Sequence, residues 1–225
     1  MKSIAIIPAY NEEVEISAII KRSLKFVDKV VVVDDGSTDR TSQIAKDAGA
    51  RVIKHYNNLG KGVSLKDAFA EVRGFDIVVT IDGDGQHNPD EMPKLMRPIR
   101  EGRADLVNGS RYLNGSDDTP TYRRAGQKVL DIATNITSGT HVTDSQSGFR
   151  AFAGKAIPYF RFRDTGFGIE SEMLADAAEN NLRILEVPIT VRYDVENPST
   201  NGPAVHVTEV LIKILLDKII RTFKR

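Results

Sequence analysis

The stretch Phe75-Asp76-Ile77-Val78-Val79-Thr80-Ile81-Asp82-Gly83-Asp84-Gly85-Gln86-His87 decides the fold. It opens as an almost unbroken apolar, β-branched run and gives way abruptly to carboxylates and glycines. A short apolar run bounded by turn residues is a strand covered on both faces, the kind that parallel sheets contain. Three similar runs precede it, at 3–8, 29–33 and 51–55, and a shorter one follows at 104–107. Helix-period segments separate them at 12–25, 38–48, 62–73 and 89–101. This alternation predicts an open α/β fold for residues 1–110, a mostly parallel sheet flanked by helices. Ligands of such sheets sit beyond the carboxyl ends of the strands.

Beyond Arg111 the pattern loosens. Residues 112–121 are polar and turn-rich, 122–138 and 169–180 read as helices, 144–152 as short and irregular, 182–191 as a strand and 192–203 as a loop. No internal repeat or low-complexity linker divides the chain. One domain over 1–225 is therefore expected: a first half to 110, an elaborated second half over 111–204, and a terminal helix over 205–225. In that helix Glu209, Lys213, Asp217 and Arg221 recur every four residues as a polar stripe. Val207, Val210, Leu211, Ile214, Leu215 and Ile219 make the opposing apolar face. Two readings fit: a helix packed on the domain with cations at its negative dipole end, or an amphipathic helix lying on a membrane surface or a partner.

Composition narrows the function. The 225 residues carry 31 Lys+Arg against 31 Asp+Glu, and no Cys. A neutral sum supplies no global positive field for polyanions, so no nucleic-acid partner is expected. The absence of cysteine excludes a disulfide framework, a zinc ribbon and a thiol nucleophile, and fits a cytoplasmic setting. No signal-peptide pattern opens the chain, and no apolar stretch reaches the ~20 residues of a spanning helix. Contact with a membrane would be peripheral, through 205–225.

Every strand of the first half ends in polar, turn-forming residues: Pro8-Ala9-Tyr10-Asn11-Glu12, Asp34-Asp35-Gly36-Ser37, Leu59-Gly60-Lys61-Gly62, Asp82-Gly83-Asp84-Gly85-Gln86 and Asn108-Gly109-Ser110-Arg111. No G-x-G-x-x-G follows the first strand and no P-loop exists, which removes the usual dinucleotide and P-loop nucleotide readings. Asp34, Asp35, Asp82 and Asp84 converge on one sheet edge instead. Like charges held close ask for a cation or a hydrogen-bonding ligand. Asp82 and Asp84, with Gln86, offer hard oxygen ligands suited to Mg²⁺ or Mn²⁺.

The ordered set PAYNEE (8–13), VDDGSTD (33–39), LGKG (59–62), DGDGQH (82–87), NGSRY (108–112), DSQSGFR (144–150) and EVPITVR (186–192) resembles the family-2 glycosyltransferases. The likeness is greatest to the branch of dolichol-phosphate mannose synthases and polyprenyl-phosphate glucose synthases. The resemblance implies a GT-A fold, a UDP- or GDP-hexose donor, Mg²⁺ or Mn²⁺, and inversion at the anomeric carbon. It also implies roles. Pro8, Ala9, Tyr10 and Glu12 would surround the base and ribose, with Asp34 and Asp35 beside them. Lys61 would join the donor site, and Asp82, Asp84 and Gln86 would serve the metal and diphosphate. Arg111 and Arg124 would hold the acceptor phosphate, Arg192 would lie near the donor diphosphate, and Asp144 would line the sugar site.

The acceptor implied by that branch is a polyprenyl or dolichyl phosphate, whose oxygen is already ionised near neutral pH, so no strong base is needed. A soluble hydroxyl acceptor would need a carboxylate base, with Asp144 the first candidate and Glu172 the second. The segment 193–203 departs from the mannose-synthase pattern, and it borders the acceptor in the family. A separate class shares D-x-D-G after an apolar strand: haloacid-dehalogenase-type phosphohydrolases, with Asp82 as nucleophile. That class carries the motif near the N-terminus, whereas here it follows the fourth strand.

Overall fold

The computed structural model describes residues 1–113, 121–192 and 203–223, with backbone alone at 121–123, 203–206 and 223. Strand β1 (Ser3–Ala9) pairs in parallel with β2 (Lys29–Asp34) on one side and with β4 (Ile77–Thr80) on the other, and β2 carries β3 (Arg51–Lys54). Parallel neighbours cannot be joined by a hairpin. The crossovers are α1 (Ile16–Ser23), α2 (Thr41–Asp47) and α3 (Lys61–Ala70). The apolar residues of β1, β2 and β4 are buried, as strands covered on both faces require. Helices α1 and α2 begin about three or four residues later than their periodicity suggests, at Ile16 and Thr41, because the residues ahead of them form the loops at the strand ends.

A turn of 3₁₀ helix at Pro89–Glu91 leads into α4 (Met92–Arg100) and then β5 (Leu106–Ser110). β5 does not lie beside β4. Strand β6 (Arg150–Ala153) inserts between them, antiparallel to both, and β7 (Ile184–Pro188) pairs in parallel with the outer side of β5. The seven-stranded order is β3-β2-β1-β4-β6-β5-β7, so the mostly parallel sheet is as expected, with one reversed strand. Three helices complete the second half: α5 (Thr121–Ser138), α6 (Ile169–Glu179) and α7 (Pro203–Phe223).

β6 occupies residues expected to be irregular. The strand is only four residues long and starts with Arg150 ahead of three apolar residues, which masks a buried strand. Arg150 is fully buried. Its guanidinium donates to Asn108 Oδ1 at 2.9 Å on β5, to the Glu170 carbonyl at 2.7 Å on α6, and to the Ser145 carbonyl at 2.7 Å. A planar fork with several donors is the side chain that can satisfy three acceptors from three segments at once.

The terminal helix packs on the domain, but its faces are assigned differently from the expectation. Val207, Val210, Leu211 and Ile214 do pack with Leu130 and Ala133 of α5. The polar stripe turns inward beyond Glu209, which stays exposed: Lys213 pairs with Asp164 at 3.2 Å, and Arg221 with Asp176 and Glu179 at 2.8 Å each. Leu215 and Ile219 face outward with Ile212, Leu216 and Ile220, all between 43% and 52% exposed. Two sets of apolar residues occupy this helix, and periodicity does not reveal which one meets the protein.

Arg150→Met removes a donor from three buried acceptors and should lower unfolding stability by about 3 kcal/mol. Urea denaturation followed by circular dichroism checks this.

Candidate functional site

The carboxyl ends of β1, β2 and β4, the start of α3 and the loop before α6 enclose a cavity of about 230 Å³. Pro8, Ala9, Tyr10 and Glu12 line it from β1 and the loop that follows, together with Asp35, Lys61, Asp82 and Asp84. Eight of the expected residues thus share one wall, beyond the strand ends where a parallel sheet puts its ligands.

The cavity holds an excess of negative charge. Lys61 Nζ lies 2.6 Å from Asp82 Oδ1 and 2.7 Å from Glu170 Oε1. Burial opposes the ammonium's charge, but Asp82 and Glu170 outweigh it and raise the Lys61 pKa. Burial likewise opposes the Asp82 charge, and the Lys61 ammonium reverses this and holds the carboxyl below its ordinary value. For Asp84 the upward pressures win: burial, then repulsion from Asp82, outweigh the Gln86 N–H and the Lys61 ammonium and push it up to about 6. Burial, followed by repulsion from Asp84 and Asp82, pushes Glu12 up to about 8. His87 is buried, with Nε2 3.9 Å from Asp82 Oδ2, and burial lowers its pKa to about 4.

Glycines set this geometry at two positions. A Cβ on Gly148 would lie 2.2 Å from Asp82 Oδ2, so the turn before β6 can approach the carboxylate only without a side chain. A Cβ on Gly62 would lie 1.9 Å from the Asp164 carbonyl oxygen, while Gly62 N–H donates to the Thr165 carbonyl at 3.1 Å. The L-G-K-G glycine therefore admits the loop before α6, which places Glu170 against Lys61.

The two neighbouring aspartates of β2 separate. Asp35 stays at the cavity and accepts from the Leu59 and Gly60 N–H groups at 2.9 and 2.8 Å, with His55 Nδ1 at 2.7 Å. It thereby fixes the backbone that presents Lys61. Asp34, expected beside the base and ribose, is fully buried away from the cavity wall. It accepts from Ser37 N–H at 2.8 Å and from the Ser42 hydroxyl, tying β2 to α2. Strand alternation sends consecutive side chains to opposite faces, which accounts for the division. Gln86, expected as a metal ligand, lies outside the cavity wall and works through its main chain. Its N–H donates to Asp84 Oδ1 at 3.0 Å, and its carbonyl accepts from Arg192 N–H at 2.9 Å. Arg192 is brought to the Asp82–Asp84 loop in this way.

A second cluster forms at the end of β5. Arg111 donates from Nε and Nη2 to the two Asp144 oxygens, both at 2.6 Å, and from its backbone N–H at 3.1 Å. The guanidinium carbons of Arg111 and Arg124 lie 5.6 and 5.8 Å from the centre of the Tyr112 ring. The two arginines expected to share an acceptor site are thus gathered on one aromatic ring. Glu172, the second base candidate, is absorbed by structure: its carboxylate accepts from Arg163 and Asp164 N–H groups at 2.7–3.0 Å.

Sequence reasoning missed Glu170 and Arg150. Glu170 lies two residues before the glutamate that was noticed, and no motif singles it out. The run Gly166-Phe167-Gly168 ahead of it was the available signal, since glycines at that spacing allow a close loop approach.

Glu12 generates a test. The folded chain keeps its proton up to about pH 8, whereas the unfolded chain loses it near 4.5. His87 acts with the opposite sign, since its depressed value makes the unfolded state take up more protons, but only below about 6.5. Above 6.5 the folded chain binds the extra proton, so stability falls as pH rises toward 8. Melting temperature measured in EDTA should drop across that window, and Glu12→Gln should flatten the drop.

The model of glycosyl transferase family 2 matches residues 4–158. The chain is 36% identical over 214 residues to UDP-N-acetylglucosamine--dolichyl-phosphate N-acetylglucosaminyltransferase of Methanococcus voltae, spanning 84% of each protein. It is 32% identical over 204 residues to undecaprenyl-phosphate mannosyltransferase of Micrococcus luteus, spanning 84% of this chain and 83% of that one. Glucosyl-3-phosphoglycerate synthase of Mycobacterium tuberculosis, solved with Mn²⁺, UDP and glucosyl-3-phosphoglycerate, superposes with a TM-score of 0.74 at 27% identity, covering 96% of this chain and 79% of that one. By its sequence, and by its likeness in fold to glucosyl-3-phosphoglycerate synthase, the chain belongs to glycosyl transferase family 2, has the GT-A fold and is a hexosyltransferase.

Proposed function

We propose that the chain transfers a hexose, with inversion, from a nucleoside diphosphate sugar to a polyprenyl phosphate. The observation that carries the acceptor class is the Arg111–Asp144 pair. The two carboxylates that the sequence offers as bases for a hydroxyl acceptor are occupied, Asp144 by a bidentate guanidinium and Glu172 by backbone N–H groups. A phosphate acceptor arrives ionised, so its oxygen attacks the anomeric carbon with no base. The bond to the nucleoside diphosphate breaks with its electron pair going to the leaving group. The work left to the protein is positioning and charge stabilisation. Arg111 and Arg124, gathered on Tyr112, suit an anionic headgroup. The lipid phosphates in the names of the two relatives point the same way.

The donor site fits a divalent cation. Among the described residues no three of His, Cys, Asp and Glu form a ready-made cage. That suits Mg²⁺ or Mn²⁺, which is commonly held by one or two carboxylates and completed by substrate phosphates. Asp82 and Asp84 are the residues that would hold it, and the upward push on Asp84, from burial and then from Asp82, marks a place where a cation would relieve repulsion. When bound, the ion neutralises the charge developing on the diphosphate. Tyr10 and Glu12 would face the nucleoside, Lys61 and Arg192 the diphosphate.

A lipid acceptor also requires approach to a bilayer. No helix among the described residues is long and apolar enough to cross one. The outward stripe of α7 continues onto α5 through exposed Val129, Ile132 and Ile136, with Lys128 and Lys218 exposed beside it. Helix α5 starts at the Arg111–Tyr112–Arg124 cluster, so the apolar face runs away from the proposed headgroup site. A surface with apolar residues and flanking lysines fits the headgroup region of an anionic membrane. A soluble hydroxyl acceptor is the second reading, favoured by the likeness to glucosyl-3-phosphoglycerate synthase.

Labelled UDP- and GDP-hexoses, offered with Mn²⁺ and either polyprenyl phosphate or 3-phosphoglycerate, decide between them. A glycosyl-phosphoryl-polyprenol product is expected, and transfer to phosphoglycerate alone would favour the second reading. Asp84→Ala should abolish transfer while leaving the melting temperature close to that of the unaltered chain. For the membrane face, the chain should sediment with anionic liposomes, and Leu216→Glu combined with Ile219→Glu should remove that binding without unfolding.

A further inference from the structure

We propose that Glu170 is a positioning residue that acts through Lys61. It tethers the ammonium beside Asp82, so that Lys61 can yield Asp82 to a divalent cation and still remain at the cavity for the donor diphosphate. The inference rests on the metal-dependent donor site proposed above.

Glu170 lies in the first turn of α6, only 3% exposed, behind Lys61 and outside the cavity wall. Apart from the Lys61 ammonium at 2.7 Å, neither of its carboxylate oxygens has a hydrogen-bond partner among the described residues. The other buried carboxylates nearby are served differently. Asp35 accepts from two backbone N–H groups, Asp144 from a bidentate arginine, and Glu172 from two backbone N–H groups. A buried carboxylate without such donors is costly to keep. Arg150 binds the backbone carbonyl of Glu170 rather than its side chain, so Lys61 is the partner that this carboxylate meets directly.

One carboxylate would suffice to neutralise Lys61, and Asp82 already stands 2.6 Å away. A second one makes the ammonium shared. When a divalent cation takes Asp82, an ammonium held by Asp82 alone would be stranded against a like charge in a buried site. With Glu170 behind it, Lys61 keeps a counter-ion and stays within reach of a phosphate entering the same cavity. Gly62 and the loop it admits fix this arrangement, because they bring the start of α6 against the start of α3.

The test uses the full chain and the variants Glu170→Gln and Glu170→Asp, with melting temperatures taken alongside. Two affinities are read: Mn²⁺ without nucleotide, by electron paramagnetic resonance, and UDP and GDP in EDTA, by calorimetry. Tethering predicts that Glu170→Gln weakens Mn²⁺ binding about 10-fold, in the range of other residues that orient a metal site from behind. It also predicts that the metal-free nucleotide binds more weakly, because Lys61 is misplaced. Glu170→Asp, which keeps the charge but withdraws it, should show the same two losses in smaller measure, and it serves if the Gln variant does not fold. If Glu170 supplies only negative field, Mn²⁺ weakens but the anionic nucleotide binds more tightly, and the proposal falls. Unchanged affinities in both variants also overturn it. Failure of the unaltered chain to bind either probe would overturn the metal-dependent donor site itself, and this inference with it.

Discussion

Lys61 Nζ stands between Asp82 and Glu170, at 2.6 and 2.7 Å, in a cavity that also holds Asp84 and Glu12. A single cation thus answers several carboxylates at the ends of parallel strands. The rest of the site follows from that imbalance. Asp35 spends its oxygens on the backbone of the L-G-K-G loop, so that the cation is presented at a fixed place. Burial, and then repulsion among the carboxylates, leaves Asp84 and Glu12 with carboxyl groups pushed up to about 6 and about 8. Completing the balance takes a further cation together with an anionic ligand, and that is the pairing a metal and a sugar nucleotide supply.

The reversed strand β6 is what joins this site to the second one. The turn before it places Gly148 against Asp82, and Arg150 at its start reaches β5, α6 and the Ser145 carbonyl. Ser145 follows Asp144, which orients Arg111, and Glu170 opens the helix that Arg150 touches. The donor carboxylates, the Lys61 tether and the Arg111 cluster are therefore held by one short segment of main chain. A parallel strand in that place would begin at the opposite edge of the sheet. Reversal lets the incoming loop, residues 144–149, arrive at the edge where the other strands stop.

Much of this was legible in the sequence, and the reasons are local. β1, β2 and β4 are apolar runs that need no tertiary context to be recognised, and their polar ends declare the functional edge. Asp82 and Asp84 could be read from their position after such a run. β6 could not, because a four-residue strand that starts with a buried arginine has neither the length nor the pattern of one. Asp34 and Asp35 look equivalent in one dimension, while the pleat sends them to different surroundings, Asp35 to the cavity wall and Asp34 to the interior. Glu170 was invisible because its meaning comes from Lys61, about a hundred residues earlier in the chain and next to it only after folding.

Helix α7 carries the same lesson about context, and it bears on where the enzyme works. A helix that merely packs on a domain turns its apolar side inward and its charges to water. Here Lys213, Asp217 and Arg221 face the protein, where Arg221 meets Asp176 and Glu179, both anchored by Arg161 as well. Buried ion pairs add little net stability over apolar packing, but they fix orientation strictly, since a rotated helix would strand their charges. The rotation they enforce exposes Ile212, Leu215, Leu216, Ile219 and Ile220. A chain meant only for water has little use for such a register, because a modest rotation would bury those side chains. Charges that lock the helix with its apolar stripe outward are consistent with a surface that meets a lipid acceptor's own medium.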